Sequence, residues 1–425
     1  MLIKKKIFTN NNLINLLIAF IPLSLILGNL ATNINVVLIC LLGIIIYKLD
    51  IFKINNKKYY YLLCGFFFYL ILITLIKNIP NLSENNLYKE HIFKSLFFFR
   101  YLIIFFIIQK LFEENSFNMN LFYISCIFFG LIVSIDILIQ VILKKNLFGY
   151  SITAYRPSSF FGSEHIAGGY IQKFSLFFII FVNFFFKKNK KKVFSVLLFL
   201  FFFIVIILTG NRMPSLLFLL SILIFLLLEK QFKMIVFTIL LNSIIIFTVV
   251  KYPPIERLDV QIKNFFIYSK EIVQKTPKLF YYNKYEPGVM SLEYLLHFNS
   301  GAQVWKQNKI FGGGLKSFRL NCVYGYGATQ VCNTHPHNYV LELLVDLGIV
   351  GFTLIYIIFI LIIFDFFKLY RSSSQLKLYS IPFFLIIVTE FFPLRSSGSF
   401  FTTSNATIIF LMLSILIGIL NSKKV

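Results

Sequence analysis

The stretch from Val193 to Thr209 reads VFSVLLFLFFFIVIILT, carries no charge, and follows the basic run Lys187, Lys188, Lys190, Lys191 and Lys192. An outer-membrane barrel strand would alternate polar and apolar residues over about ten positions, and this run does not alternate. It reads as a membrane-spanning helix with a cationic flank. Composition extends that reading to the whole chain. Of 425 residues, 58% are hydrophobic, 19% aromatic and only 14% charged, and the mean hydropathy is +0.81. A soluble domain carries about 25% charged residues, so tandem soluble enzymes, coiled coils and disordered scaffolds are excluded. At about 20 residues per span, the apolar content makes an all-α polytopic helical bundle of about a dozen spans with one sizeable loop.

Spans are expected near 12–30, 32–47, 59–76, 95–112, 121–143, 165–186, 193–209, 215–228, 234–250, 344–367, 378–394 and 406–420. With Lys4, Lys5 and Lys6 in the cytoplasm, every even-numbered connection falls inside. Those connections carry Lys48, Lys53, Lys57 and Lys58, then the 187–192 cluster, then Lys368, Arg371 and Lys377. Lys423 and Lys424 also fall inside, against the exception of Lys144 and Lys145, so the positive-inside rule is met on balance. The first apolar run lacks a small-residue cleavage site, so no cleavable signal peptide is expected. Three regions result: spans one to nine over 1–250, a large periplasmic loop over 251–336, and spans ten to twelve over 337–425.

The net charge of +24 does not point to nucleic acid, because no soluble basic domain with interleaved aromatics is present. Much of the lysine belongs to a composition also rich in Asn, Ile and Phe. The long loop has more basic than acidic residues and suits an anionic ligand. Cys40, Cys64 and Cys126 lie in spans and read as small buried apolar groups. Cys322 and Cys332 share the loop, where a disulfide is expected.

Thr334-His335-Pro336-His337-Asn338 stands where the loop meets span ten, followed by Glu342, Asp346, Gly348 and Gly351. A histidine at a membrane mouth can serve as a general base near neutral pH, or it can cap the helix or meet lipid headgroups. Two histidines spaced i, i+2 around a proline make a poor metal site, so neither metal nor cofactor is expected. Gly312-Gly313-Gly314 lacks the Lys-Ser/Thr that follows in a P-loop and reads as a flexible turn. Arg100 and Asp136 lie inside spans, are costly in lipid, and should face the bundle. Glu390 and Arg395 suit an interfacial ion pair.

His337-Asn338, nine residues, Gly348, two residues and Gly351 form the pattern H-N-x9-G-x-x-G, which resembles the motif of O-antigen ligases. These membrane glycosyltransferases move undecaprenyl-pyrophosphate-linked polysaccharide onto lipid A-core. Three further pieces resemble the same superfamily, which also holds O-antigen polymerases and protein O-oligosaccharyltransferases. They are Arg156-Pro157 through Gly162, Thr209-Gly210-Asn211-Arg212, and the glycine-rich segment Asn308 to Arg319. The resemblance covers about residues 150–360. It departs where Ser163-Glu164-His165 stands in place of the family's frequent Pro-Asn.

The resemblance implies a metal-independent, inverting transfer at the periplasmic face of the inner membrane, with both termini cytoplasmic. The partners implied are the lipid-linked saccharide donor, a lipid A-core or lipid-linked acceptor, and membrane lipids. His337 is the expected base, with His335, Arg156, Arg212 and Arg319 binding substrate and Asn338, Gly348 and Gly351 completing the motif. The residues agree with this chemistry. A leaving pyrophosphate gathers negative charge that guanidinium neutralises with paired, planar hydrogen bonds. A Wzy-type polymerase would use the same donor with a second lipid-linked repeat as acceptor. A polyprenyl-saccharide transporter would be expected to show inverted repeats and broken midplane helices.

Overall fold

The computed structural model describes residues 10–55, 57–152, 156–185, 188–254, 293–322, 332–372 and 376–422. Residues 255–292 of the expected loop lie outside the described residues, as do Lys4, Lys5, Lys6, Lys187, Lys423 and Lys424. Among the described residues the fold is helical, without a named strand. That follows from the sequence, because a run such as Val193 to Thr209 must satisfy its backbone polar groups internally wherever it meets lipid.

In chain order the helices are α1 (Asn10–Leu27), α2 (Asn29–Tyr47), α3 (Lys57–Asn78), α4 (Asn86–Phe98), α5 (Arg100–Glu113) and α6 (Met119–Leu143). Then come α7 (Ala167–Phe174), α8 (Phe178–Phe185), α9 (Lys188–Leu208), α10 (Arg212–Leu228) and α11 (Phe232–Lys251). The last are α12 (Glu293–Gln307), α13 (Phe318–Asn321), α14 (Tyr339–Arg371), α15 (Leu376–Glu390) and α16 (Thr403–Asn421). Most expected spans fall on one helix of this series, whereas 95–112 covers the end of α4 and α5, and 165–186 is divided between α7 and α8. Among the described residues, seven helical stretches are long and apolar enough to cross a membrane, among them Tyr339–Arg371 and Met119–Leu143. Helices α1, α9 and α10 are apolar but shorter.

The chain forms two compact units. One comprises Met1–Ile46, Glu114–Ile267 and Gln375–Thr389; the other comprises Tyr47–Glu113, Tyr268–Ser374 and Glu390–Val425. In the first, Asp136 is wholly buried in α6 and fastens the following loop. It accepts from the Leu147 amide at 2.9 Å and the Ser159 hydroxyl at 2.6 Å, while Gln140 accepts from the Ser159 amide at 2.9 Å. In the second unit, Arg100 donates to the Phe97 carbonyl at 3.2 Å and the Tyr101 hydroxyl at 3.1 Å.

The second unit is organised around a break in α14. Gly348 has φ 65° and ψ −170°, a conformation essentially reserved for glycine, and the break exposes backbone groups that need partners. The glycine-rich segment supplies them. The amides of Gly313 and Gly314 donate to the carbonyls of Val345 and Asp346 at 2.9 and 2.8 Å. In return, Ile349 and Val350 donate to Lys309 and Ile310 at 2.9 and 3.2 Å. The Tyr69 hydroxyl of α3 lies 2.8 Å from the Phe311 carbonyl and 3.1 Å from that of Leu347.

Glycine is required by how closely these backbones approach. A Cβ on Gly348 would stand 2.2 Å from the Ile310 carbonyl oxygen, and one on Gly312 would stand 2.4 Å from that of Asp346. The expectation of a flexible turn at Gly312–Gly314 is therefore corrected: the segment is fixed on both sides. On its other flank, the Leu315 amide donates to the Thr74 hydroxyl at 3.0 Å, and Lys77 Nζ donates to Asn308 Oδ1 at 2.8 Å. Gly351 serves a different approach, since a Cβ there would stand 3.0 Å from the Tyr69 ring.

The Cys322–Cys332 disulfide is formed, with Cα atoms 5.5 Å apart. Cys322 packs on the small core of Val304, Phe318 and Val345, so the bridge is tied to α12, α13 and α14 together.

Gly348→Ala should lower stability by at least about 1–3 kcal/mol from the backbone conformation alone, with the clash added. Gly65 of α3 has open space where a Cβ would go, so Gly65→Ala should be neutral or slightly stabilising. Thermal unfolding of both purified variants in detergent, against wild type, checks the contrast.

Candidate functional site

Asn338 is the N-cap of α14, and its conformation is extended. Its Oδ1 accepts from the Leu341 amide at 3.0 Å, which satisfies one of the open donors of a helix start. Its Nδ2 donates outward to the carbonyls of Pro393 and Arg395 at 2.8 and 3.0 Å. The Ser397 amide in turn donates to the His337 carbonyl at 2.9 Å. The segment after α15 thus clamps the motif histidine, which adopts φ 53°, uncommon for a non-glycine residue.

Three imidazoles meet here. The His337 ring centroid is 4.5 Å from that of His297 on α12 and 4.2 Å from that of His335. Asn333 Nδ2 lies 3.3 Å from His337 Nε2, and the Thr334 hydroxyl lies 3.0 Å from His335 Nδ1. Burial pushes the His335 imidazole down to about 3, with His337, Lys316 and His297 adding to the effect and the Ser397 backbone opposing it. His335 is therefore neutral near pH 7.

Below the cluster, the first turns of α14 bury two carboxylates, and each is saturated with donors. Glu342 accepts from the Ser399 hydroxyl at 2.5 Å and the Phe400 amide at 2.6 Å. Asp346 accepts from the Lys316 amide at 2.7 Å and the Ser317 hydroxyl at 3.0 Å. Lys316 Nζ donates to the Ser399 hydroxyl at 2.8 Å, linking the glycine-rich segment to the clamp. Arg395 pairs with Glu390 at 2.6 Å, the ion pair expected from sequence, and lies over the Tyr339 ring at 5.2 Å. Buried carboxylates persist when they are hydrogen-bonded, as both are here.

The expected site residues divide between the units. His335, His337, Asn338, Arg319, Gly348 and Gly351 belong to the second unit, and Arg156 and Arg212 to the first. Within the first unit, Arg212 opens α10 behind its N-cap Asn211. A Cβ on Gly168 would stand 2.5 Å from the Thr209 hydroxyl and 2.9 Å from Asn211, so the start of α7 lies directly on the Thr209–Arg212 piece. Arg156 acts electrostatically on His165, whose imidazole is held below its ordinary value first by burial and then by that arginine.

Sequence reasoning did not single out His297, Lys316, Ser397 or Ser399. His297 sits on a helix within the stretch assigned to the loop, without a motif neighbour. Lys316 stood in the quoted glycine-rich segment without a role. Among the described residues, no group of three or more His, Cys, Asp or Glu is placed to hold a metal ion.

A helical membrane protein with a histidine cluster at the head of a broken span is the class that fold and site define. A family model described as O-Antigen ligase matches residues 196–356. The match takes in the histidine motif, the glycine-rich segment and Thr209–Arg212, and it spans less than half of the chain. Arg156–Gly162 lies outside the matched residues. No curated protein matches the chain.

Two outcomes follow. A histidine whose folded pKa is depressed binds fewer protons folded than unfolded, so its contribution is complete above the unfolded value near 6.5 and declines as pH falls toward about 3. Thermal unfolding from pH 7 to 5 should therefore destabilise wild type more than His335→Phe. Separately, Asn338→Ala should cost about 0.5–2 kcal/mol for the cap, with a further loss for the two carbonyls it leaves, measured by the same unfolding assay.

Proposed function

We propose that the chain is an O-antigen-ligase-like glycosyltransferase that moves polysaccharide from undecaprenyl pyrophosphate to a lipid A-core or similar acceptor at the periplasmic face of the inner membrane. The observation that carries this reading is the clamped His337 at the head of α14, inside a segment matched by the ligase family. In the proposed reaction His337 takes the proton of the acceptor hydroxyl as its oxygen attacks the anomeric carbon. The bond from that carbon to the pyrophosphate breaks, and an α-linked donor is inverted. Arg156 and Arg212 hold the departing pyrophosphate, Arg319 is a further cation, and His335 contributes to binding. No metal or nucleotide enters the step.

The topology that accompanies this reading places both termini in the cytoplasm and the 251–336 segment in the periplasm. A reporter active only in the cytoplasm, inserted near Tyr281, should be silent; activity there would reverse the sidedness and remove the reaction site.

Analysis of surface polysaccharide in a deletion strain tests the function. Accumulated lipid-linked polymer with bare lipid A-core supports the ligase, single capped repeats identify a polymerase instead, and an unchanged surface overturns both. In reconstituted membranes His337→Ala should lose about 10²–10⁴ in transfer rate while retaining donor binding. Arg156→Lys and Arg212→Lys should also be impaired, because lysine keeps the charge without the paired geometry. Near wild-type turnover of His337→Ala, or inactivation by a chelator, would contradict the base assignment.

A further inference from the structure

The contacts between the glycine-rich segment and α3 fix how deep that segment sits. Helix α3 is part of an apolar stretch able to cross a membrane. At about 1.5 Å per residue, Lys57 and Lys77 stand about 30 Å apart along it, the thickness of a hydrocarbon core. Asn308 meets the Lys77 end, where Nζ donates to its Oδ1 at 2.8 Å. Phe311 meets Tyr69, whose hydroxyl donates to its carbonyl at 2.8 Å, about 12 Å down the helix from Lys77. Leu315 is back at Thr74, its amide donating to the hydroxyl at 3.0 Å. The chain therefore descends beside a span, turns at Ile310 and Phe311, and climbs again.

We propose that residues 308–315 form a re-entrant segment that inserts Ile310 and Phe311 among the lipid acyl chains of the leaflet on the loop's side. The tip is apolar: Ile310 and Phe311 are 59% and 57% exposed, and Ile349, whose amide bonds to Lys309, is exposed beside them. Phe68, Leu72 and Ile76 are exposed on α3 over the same heights, so apolar surface is continuous there. The backbone meets the demand that lipid makes and water does not, namely internal partners for its polar groups. The carbonyls of Lys309, Ile310 and Phe311 accept from Ile349, Val350 and Tyr69, and the amides of Gly312, Gly313, Gly314 and Leu315 all donate within the protein. Trp305, whose Nε1 donates to the Lys309 carbonyl at 3.2 Å, stands with Lys306 and Lys309 at the entry, the residue types of a membrane interface. Lipid at this height keeps water from the ladder that holds the break at Gly348, where its hydrogen bonds are stronger than in water. The inference does not rest on the transferase reading, because it needs only a bilayer around α3.

Trp305 is the single tryptophan of the chain, so one moved to the tip reports its surroundings without interference. The test is fluorescence quenching of the purified full-length protein in phosphatidylcholine nanodiscs, comparing lipid brominated in mid-chain with aqueous iodide. In the double variant Trp305→Phe, Phe311→Trp, mid-chain bromine should remove the larger part of the emission and iodide should remove little. If Phe311→Trp fails to fold, as judged by its unfolding transition, Ile310→Trp takes its place with the same expectation. Quenching by iodide while brominated lipid has no effect would place the tip in water and overturn the proposal. Protection from both quenchers would mean that protein covers the tip, a second copy or another part of the chain, and would overturn it equally. A chain whose tip is quenched by lipid yet which transfers nothing would contradict the proposed function and leave the re-entrant segment standing.

Discussion

The hydrogen bonds between residues 309–314 and the break at Gly348 are the constraint on which the second unit depends. A continuous helix would need no outside partner for Val345, Asp346, Ile349 or Val350. Once Gly348 leaves helical conformation, these groups must be paired elsewhere, because unpaired polar backbone in an apolar setting is costly. The glycine-rich segment meets that requirement at four positions. It can do so only because Gly312 and Gly348 carry no Cβ where the two backbones touch. Break and segment therefore specify each other, which explains why two glycine-bearing pieces distant in sequence act as one part.

Several features of the site follow from that union. Lys316 follows the ladder by two residues and is held at Asp346 through its amide, so its ammonium reaches Ser399 and acts near His335. Ser399 and Ser397 then connect the ladder to the clamp on His337. The disulfide at Cys322 attaches the end of the same segment to the core formed by Val304, Phe318 and Val345. A histidine held in a left-handed conformation by backbone contacts on one side and packed against two imidazoles on the other has little freedom to reorient. The proton-acceptor role proposed for His337 would draw on that restraint.

The fold was legible where the chain is simplest. Apolar runs such as Val193 to Thr209 admit one secondary structure in lipid, and a helix stands at each. The disulfide and the Glu390–Arg395 pair were also legible, because few partners of the right chemistry were available to each. The glycines were found but misread at one point. Gly312–Gly314 read as a flexible turn, because sequence does not say which backbone approaches, and the segment proved to be held against the break at Gly348. His297, Lys316 and Ser399 reach the site from separate elements through long-range contacts, which leave no local periodicity to read. Asp136 shows the same limit: its burial was foreseeable, but its attachment to Leu147 and Ser159 depends on how the loop returns.

Amide hydrogen exchange, read on peptides covering 309–317 and 345–351 of the purified protein in micelles, tests the central claim most directly. Paired and fixed backbone exchanges slowly, whereas an open loop exchanges without delay. The account predicts that Gly313, Gly314, Ile349 and Val350 are protected to the same degree as the interior of α14, and that Gly348→Ala removes protection from both peptides together. Rapid exchange across 309–317 in the wild-type protein, with α14 protected through Gly348, would contradict it.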